Sequence, residues 1–497
     1  MPVAKIGVGV KGVTADHPLA VKAGLEVLEE GGNAFDAAIA VSAVLSVVQP
    51  QMGGPGGDGF LLGFIGDQVV AYASSGRSPS GFNADKFIEE KPVRGPLTVT
   101  VPGLVYLWGI INEEYGSMDL SILLRPAISL AYNGFHAGYT LAESVKAVEK
   151  ELSSYKWADY YKGVRLGGRV VNKDMARTLR LIASRGWEEF YQGDLAESIV
   201  SELQEQGVDI GLEDLMDHSG FKTTPLKLEV DGRIHYELPP NTQGASTLQL
   251  ISALYEEELS KLDFNDPERI EAWSKPVSDV YLFRDLYLGD PDYMTIDVES
   301  YLTYSSVKRA LKDVSSMQSE VNTGDTTFFI VSDGESVIGF IQSLFYPFGS
   351  GLIAQGFPVQ NRGIGFARSR GLPNSPAPRK LPLHTLSVLG VVDDRRKYII
   401  GCVGGDYRPQ LHLRVYENIF VYNMNLVDAV KAPRFIYTEL YNTQKVVVEE
   451  PLKPPGKVNT SLVGYLSSHG HVHVAVVDED RVILVNDPRS EGVAIAL

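Results

Sequence analysis

The sequence predicts a mixed α/β protein with a sheet core covered by helices, and three observations carry that reading. Helical periodicity dominates the chain up to its middle, and short apolar runs of strand length dominate its last third. Hydrophobic residues make up 44% and charged residues 22%, as a chain with a large packed core requires. At 497 residues the chain fits two or three domains, or one large α/β unit.

Residues 18–30 carry apolar side chains at helical spacing, begin near Asp16 and Pro18, and stop at Gly31-Gly32, which predicts a helix. Residues 37–48 are apolar all round and read as a buried helix, far short of the roughly 20 residues that span a bilayer. Residues 53–59 are rich in glycine and precede a strand at 60–65. A phosphate-binding loop follows a strand and opens a helix, so this context argues against a nucleotide site. Residues 105–262 read as mostly helical, punctuated at Tyr115-Gly116, Asn133-Gly134 and Pro239-Pro240. Strands are predicted at 328–331, 337–345, 385–392, 398–403, 446–448 and 472–477.

A net charge of −17 disfavours a nucleic-acid partner. One stretch departs from this: between 361 and 380 lie Arg362, Arg368, Arg370, Arg379 and Lys380, with no acid. It reads either as a solvated basic loop or as a local attractor for an anionic substrate. The single cysteine, Cys402, sits in an apolar run and is expected to be packed, not reactive. The first residues show no basic segment followed by a long apolar run, so the expectation is a cytoplasmic protein without a membrane partner.

The chemistry concentrates at residues 324–334, Gly-Asp-Thr-Thr-Phe-Phe-Ile-Val-Ser-Asp-Gly. Asp333-Gly334 between two apolar runs signals a hairpin. A two-residue loop there pairs Ser332 with Glu335 and sets Thr326 opposite Ile341, with Ser343 a diagonal neighbour on the same face. A threonine hydroxyl needs a base to act as nucleophile, and cleavage before Thr326 would supply one in its own α-amine. From these residues alone, Thr326 and Thr327 are also ordinary strand formers. Downstream, a strand, Gly404-Gly405 and Pro409 form a strand-to-helix junction, where free N–H groups can face an anion or simply turn the chain.

The order of further motifs is specific. Asp16-His17-Pro18-Leu19-Ala20, residues 31–38 (Gly-Gly-Asn-Ala-Phe-Asp-Ala-Ala), the glycine-rich block and Ser75-Gly76-Arg77 come first. Val101-Pro102-Gly103, Leu238-Pro239-Pro240-Asn241, the block from Asp325, residues 348–351 (Phe-Gly-Ser-Gly), Val403-Gly404-Gly405 and Asp487-Pro488-Arg489 follow. Together they resemble the γ-glutamyltransferase family over nearly the whole chain.

The resemblance implies a four-layer αββα sandwich of the N-terminal-nucleophile hydrolase type and a self-cleaving proenzyme. The cut falls between Asp325 and Thr326, giving a helix-rich region 1–325 and a strand-rich region 326–497 that stay associated. Thr326 matches the nucleophile, Ser343 the second hydroxyl, Gly404 and Gly405 the oxyanion hole, and Arg77 the arginine that pairs with the substrate carboxylate. His384 and Thr385 match the family's paired substrate-binding serines. The implied reaction is hydrolysis or transfer of γ-glutamyl or related acyl groups from amides such as glutathione, on a small carboxylate-bearing amide or peptide, with no cofactor and no metal. Homo-oligomerisation stays open.

Two departures bear on the substrate. The family holds the γ-glutamyl ammonium with an asparagine and an acidic residue, which align here with Phe345 and Gly365. That resembles the cephalosporin acylase branch, and implies a glutaryl-type amide without that ammonium as the alternative acyl donor. Other readings stay in view: a zinc site on alternating His469, His471 and His473, and an unprocessed, non-catalytic relative. A serine hydrolase is disfavoured, because no Gly-x-Ser-x-Gly elbow occurs.

Overall fold

A computed structural model describes residues 4–312, 314, 324–440, 444–466, 469–479 and 481–497. Two seven-stranded antiparallel sheets lie face to face. One runs in the order Val493–Ala496, Gly12–Ala15, Asp325–Ser332, Ser336–Phe345, Asp58–Ile65, Gln68–Ser74, Phe221–Lys222. The other runs Lys5–Gly9, Arg481–Asn486, His471–Asp478, Arg396–Val403, Leu389–Asp393, Arg233–Glu237, Leu226–Val230.

Alternation of side chains across each strand gives every sheet two apolar faces. Phe60, Leu62, Phe328, Ile341, Ile399 and Leu484 fill the space between the sheets. The outer face of the first sheet is covered by helices that include Pro18–Glu29 and Ala34–Val48. The outer face of the second is covered by Gly244–Glu256, Ser274–Tyr287 and Arg408–Phe420. This is the expected four-layer αββα arrangement. Both sheets contain strands from both sides of residue 325, paired directly with one another.

The helix Ala34–Val48 is buried along its whole length, as its uniform apolarity requires. Asn33 and Asp36 cap its start reciprocally, and Asp36 also accepts from the backbone of Ser117 and Met118. Cys402 is buried in the second sheet. Among the described residues no helix is long and apolar enough to cross a membrane.

Three expectations need correction. The helical reading of 105–262 missed the hairpin Leu226–Val230 and Arg233–Glu237, which forms an edge of the second sheet. The strand expected at 385–392 begins only at Leu389: the backbone of His384 bridges instead to Thr242, and the side chains of His384 and Thr385 contact Asp58 and Arg362. The basic stretch is not one solvated loop: Arg362 is fully buried and Lys380 nearly so, with Lys380 Nζ 3.9 Å from the Tyr293 ring centre.

Candidate active site

The hairpin that presents Thr326 is built differently from its expected two-residue turn. Asp333 Oδ1 accepts from Glu335 N at 3.0 Å and Ser336 N at 2.7 Å, while Oδ2 accepts from Ala34 N at 2.8 Å. These bonds hold a longer loop, so Ser332 faces Val337 and Phe328, not Thr326, faces Ile341. The shift is two residues, which keeps the same side chains on the same face. A bulge between Asp325 and Thr327 then lifts Thr326 out of the ladder. Thr326 Oγ1 stands 3.4 Å from Ser343 Oγ, with both side chains buried.

The partner strand ends under constraint. Ser343 Oγ accepts from Phe345 N at 2.8 Å, and Phe345 itself has φ +79, a costly conformation for an aromatic residue. The glycine-rich block accounts for part of this geometry. A Cβ on Gly57 would lie 2.4 Å from the carbonyl oxygen of Ser343, so only glycine allows this approach. The motif that is no phosphate loop therefore seats the Ser343 strand.

Arg362 closes the site from the other side. Its guanidinium lies 4.1 Å from the Phe345 ring centre, with Nη2 3.4 Å from Ser343 Oγ and Nη1 3.3 Å from Thr385 Oγ1. Burial lowers its pKa to about 9. Asp58, at the end of the glycine-rich block, is pushed up to about 7 by burial, opposed by Arg362 and by hydrogen bonds from Gln360 and the amides of Gly76 and Gly103. His384 donates from Nε2 to Asp58 Oδ2 at 3.1 Å and accepts from Leu386 N at Nδ1. Burial, then Arg362 and Arg408, holds it well below the usual histidine range, so it is neutral and both ring nitrogens are taken by the protein.

Gly404 and Gly405 stand where the strand Arg396–Val403 passes into a helical stretch that begins with Gly405–Tyr407 and continues as Arg408–Phe420. The first N–H groups of such a stretch have no acceptor within it. Gly405 has φ +53, which glycine adopts without strain. The junction is tied to the site through Gln243, whose Nε2 donates to Thr385 O at 2.9 Å and Gly405 O at 3.0 Å.

Arg77 sits elsewhere in the network. Its guanidinium is paired with Asp290 at 2.7 Å and Asp292 at 3.0 Å, so its fork is occupied by two carboxylates of the chain itself. Its hydrogen bonds go to Asp290, Asp292 and the Arg379 carbonyl, and none joins it to Thr326 or Ser343.

The three alternating histidines divide. His471 and His473 both hold Asp16 Oδ1 from Nε2, at 2.7 and 2.9 Å, whereas His469 lies against Tyr407. These three groups, Asp16, His471 and His473, are close enough to share an ion. The hydrogen bonding favours another arrangement. Asn486 Nδ2 stands 3.2 Å from His473 Nδ1, and with the amide donating there the Nε2 proton points to Asp16. Asp16 Oδ2 in turn accepts from Thr327 Oγ1 at 3.0 Å, so the cluster braces the residue next to the candidate nucleophile.

Sequence reasoning thus found Thr326, Ser343 and Thr385 together, but missed Arg362, Asp16, Asp58 and His384's role in the protein network. Arg362 carried one signal, its place in the acid-free basic stretch 361–380. Asp16 and Asp58 stood inside quoted motifs, yet their partners are hundreds of residues away in sequence.

Comparison with known proteins bears on the family and the fold. A family model described as gamma-glutamyltranspeptidase matches residues 20–497. The chain is 32% identical to the glutathione hydrolase-like YwrD proenzyme of Bacillus subtilis, over 98% of each chain. It is 29% identical to the oxamate amidohydrolase proenzyme of Klebsiella pneumoniae, over 97% of each. Among solved structures, a cephalosporin acylase from Bacillus halodurans superimposes with a TM-score of 0.86 at 26% identity, covering 100% of this chain and 96% of that one.

Proposed function

We propose that the chain, which belongs to the gamma-glutamyltranspeptidase family, is a proenzyme that cuts its own Asp325–Thr326 bond and then uses Thr326 to open amide bonds. The observation that carries this reading is the meeting of the Thr326 and Ser343 hydroxyls, 3.4 Å apart, at a bulge in a buried hairpin. In the uncut chain, Thr326 Oγ1 attacks the carbonyl carbon of Asp325. The peptide nitrogen leaves as the Thr326 α-amine, an ester forms, and water hydrolyses that ester to a carboxylate on Asp325. Strands of regions 1–325 and 326–497 pair with one another within both sheets, which supports their staying associated after the cut.

In the cut form the Thr326 α-amine takes the Oγ1 proton as the hydroxyl attacks a substrate carbonyl. Gly404 and Gly405 N–H groups receive the oxyanion, and Ser343 orients the nucleophile. The amine leaving group takes up a proton, and water or a second amine then releases the acyl group from Thr326. A γ-glutamyl amide such as glutathione, or a related acyl amide, is the substrate class.

Phe345 and Gly365 favour a second reading of the acyl group. The Phe345 ring lies on a guanidinium, and Gly365 brings no side chain, so these two positions give an ammonium no counter-charge. A carboxylate-bearing acyl group without an ammonium fits better. A denaturing gel tests the proposal: two fragments are expected from the wild type and a single 54.3 kDa chain from Thr326→Ala. One uncut wild-type chain without amidase activity would make it a non-catalytic relative.

A further inference from the structure

We propose that Arg362 is the carboxylate anchor of this site, and that the preferred substrates are monoamides of the shortest dicarboxylic acids, with the carboxylate on the scissile carbonyl or one methylene away. The inference rests on Thr326 as the nucleophile.

Arg362 differs from most buried arginines of the fold. Arg269 is paired with Glu417 at 2.9 Å, and Arg434 with Asp487 at 2.6 Å. Arg362 is just as buried, yet among the described residues no carboxylate is hydrogen-bonded to it and its Nε has no partner. Its two contacts, to Ser343 and Thr385, are long, and both are neutral hydroxyls. The nearby acids are committed elsewhere. Asp58 accepts from Gln360, His384, Gly76 and Gly103, and Asp406 is paired with Arg284. Asp58 and Asp406 act on Arg362 only through space, so its fork is left without a hydrogen-bonded carboxylate; a buried guanidinium in that state is costly, and a bidentate carboxylate is the ligand its fork matches.

Distance selects the substrate. Ser343 Oγ lies 3.4 Å from Thr326 Oγ1 and 3.4 Å from Arg362 Nη2. The nucleophile and the guanidinium are therefore at most two such spans apart. A covalent link to Thr326 and a charge-assisted hydrogen bond of about 2.8 Å take up most of that distance. What remains fits a carboxylate attached to the carbonyl carbon, or one methylene beyond it. A three-methylene acyl chain must fold back on itself to make both contacts. An α-ammonium would face a like charge.

Gly324, two residues before Thr326, packs beside the same ring: a Cβ there would lie 2.9 Å from Phe345.

The test uses processed enzyme with oxamate, malonamate, glutaramate and γ-glutamyl amide, and a neutral ester, p-nitrophenyl acetate, as control. Wild type is expected to favour oxamate or malonamate in kcat/KM. Arg362→Gln should lower that value about 10²-fold more than it lowers turnover of the neutral ester, so the ratio of the two substrates is the readout. Arg362→Lys should fall between, keeping the charge and losing the fork. Calorimetry with malonate reads the anchor without turnover: binding to wild type and its loss in Arg362→Gln are expected. Equal losses on charged and neutral substrates, a wild-type preference for glutaryl or γ-glutamyl amides, or no malonate binding to wild type would overturn the proposal. If the wild type stays uncut and inert towards every amide, the assignment of Thr326 fails, and malonate binding alone decides the anchor.

Discussion

Replacing Asp16 by asparagine removes one buried charge and little volume, and it tests whether the cluster beneath the nucleophile strand is held by electrostatics. The Asp16 carboxylate receives Thr327 Oγ1 at 3.0 Å, His471 Nε2 at 2.7 Å and His473 Nε2 at 2.9 Å. Burial raises its pKa, but His471 and His473 outweigh burial and hold the carboxyl well below the usual carboxylate range. Asparagine keeps one acceptor and turns an amide N–H₂ towards a donor. Breaking a buried charge pair in this way costs about 3–5 kcal/mol. Urea unfolding should be measured in a Thr326→Ala background, which keeps the chain in one piece.

The pH dependence of that difference follows from two shifts of opposite sign. The lowered pKa of Asp16 stabilises the fold above its unfolded value of 3.8, and that contribution is lost as pH falls towards the folded value. The pKa of His471 is raised, against the lowering effect of burial, by Asp16. Its contribution is fully present below 6.5 and is lost as pH rises through the folded value. The wild-type advantage over Asp16→Asn should therefore be largest between these two unfolded values and shrink on either side. A difference under about 0.5 kcal/mol, or one flat from acid to alkaline pH, would refute the reasoning.

Two further outcomes follow from the site. Ser343→Ala removes the hydroxyl beside Thr326 Oγ1 and should slow both self-cleavage and amide turnover about 10–10²-fold, read as the rate of fragment appearance and as kcat. Gly405→Ala forces a side chain into a backbone with φ +53 and disturbs the proposed oxyanion donors, so a fully cut variant should lose about 10²–10³ in kcat; unchanged kcat would place the oxyanion elsewhere.

The architecture was legible where one periodicity was unmixed. The all-apolar run at 37–48 became a buried helix, and the runs at 398–403 and 472–477 became central strands. The hairpin Leu226–Val230 and Arg233–Glu237 escaped because it is short and embedded among helices, although Asp231-Gly232 carried a turn signal. At the site, the hydroxyl pair came from register counting that was two residues out. The Asp333 side chain lengthened the loop, and an even shift left the face unchanged. Arg362 was grouped with exposed basic neighbours because sequence charge says nothing about burial; only packing on Phe345 singles it out. Arg77 was placed by motif, and its carboxylate partners Asp290 and Asp292 lie too far along the chain for spacing to reveal them.

The most direct test of the account is the mass and N-terminal sequence of the purified chains. The wild type should give two fragments, the smaller one beginning Thr326-Thr327-Phe328, while Thr326→Ser yields the same pair more slowly. Thr326→Ala should remain a single chain of 54.3 kDa without amidase activity. An intact and active wild-type chain, or cleavage of Thr326→Ala at the same bond, would contradict it.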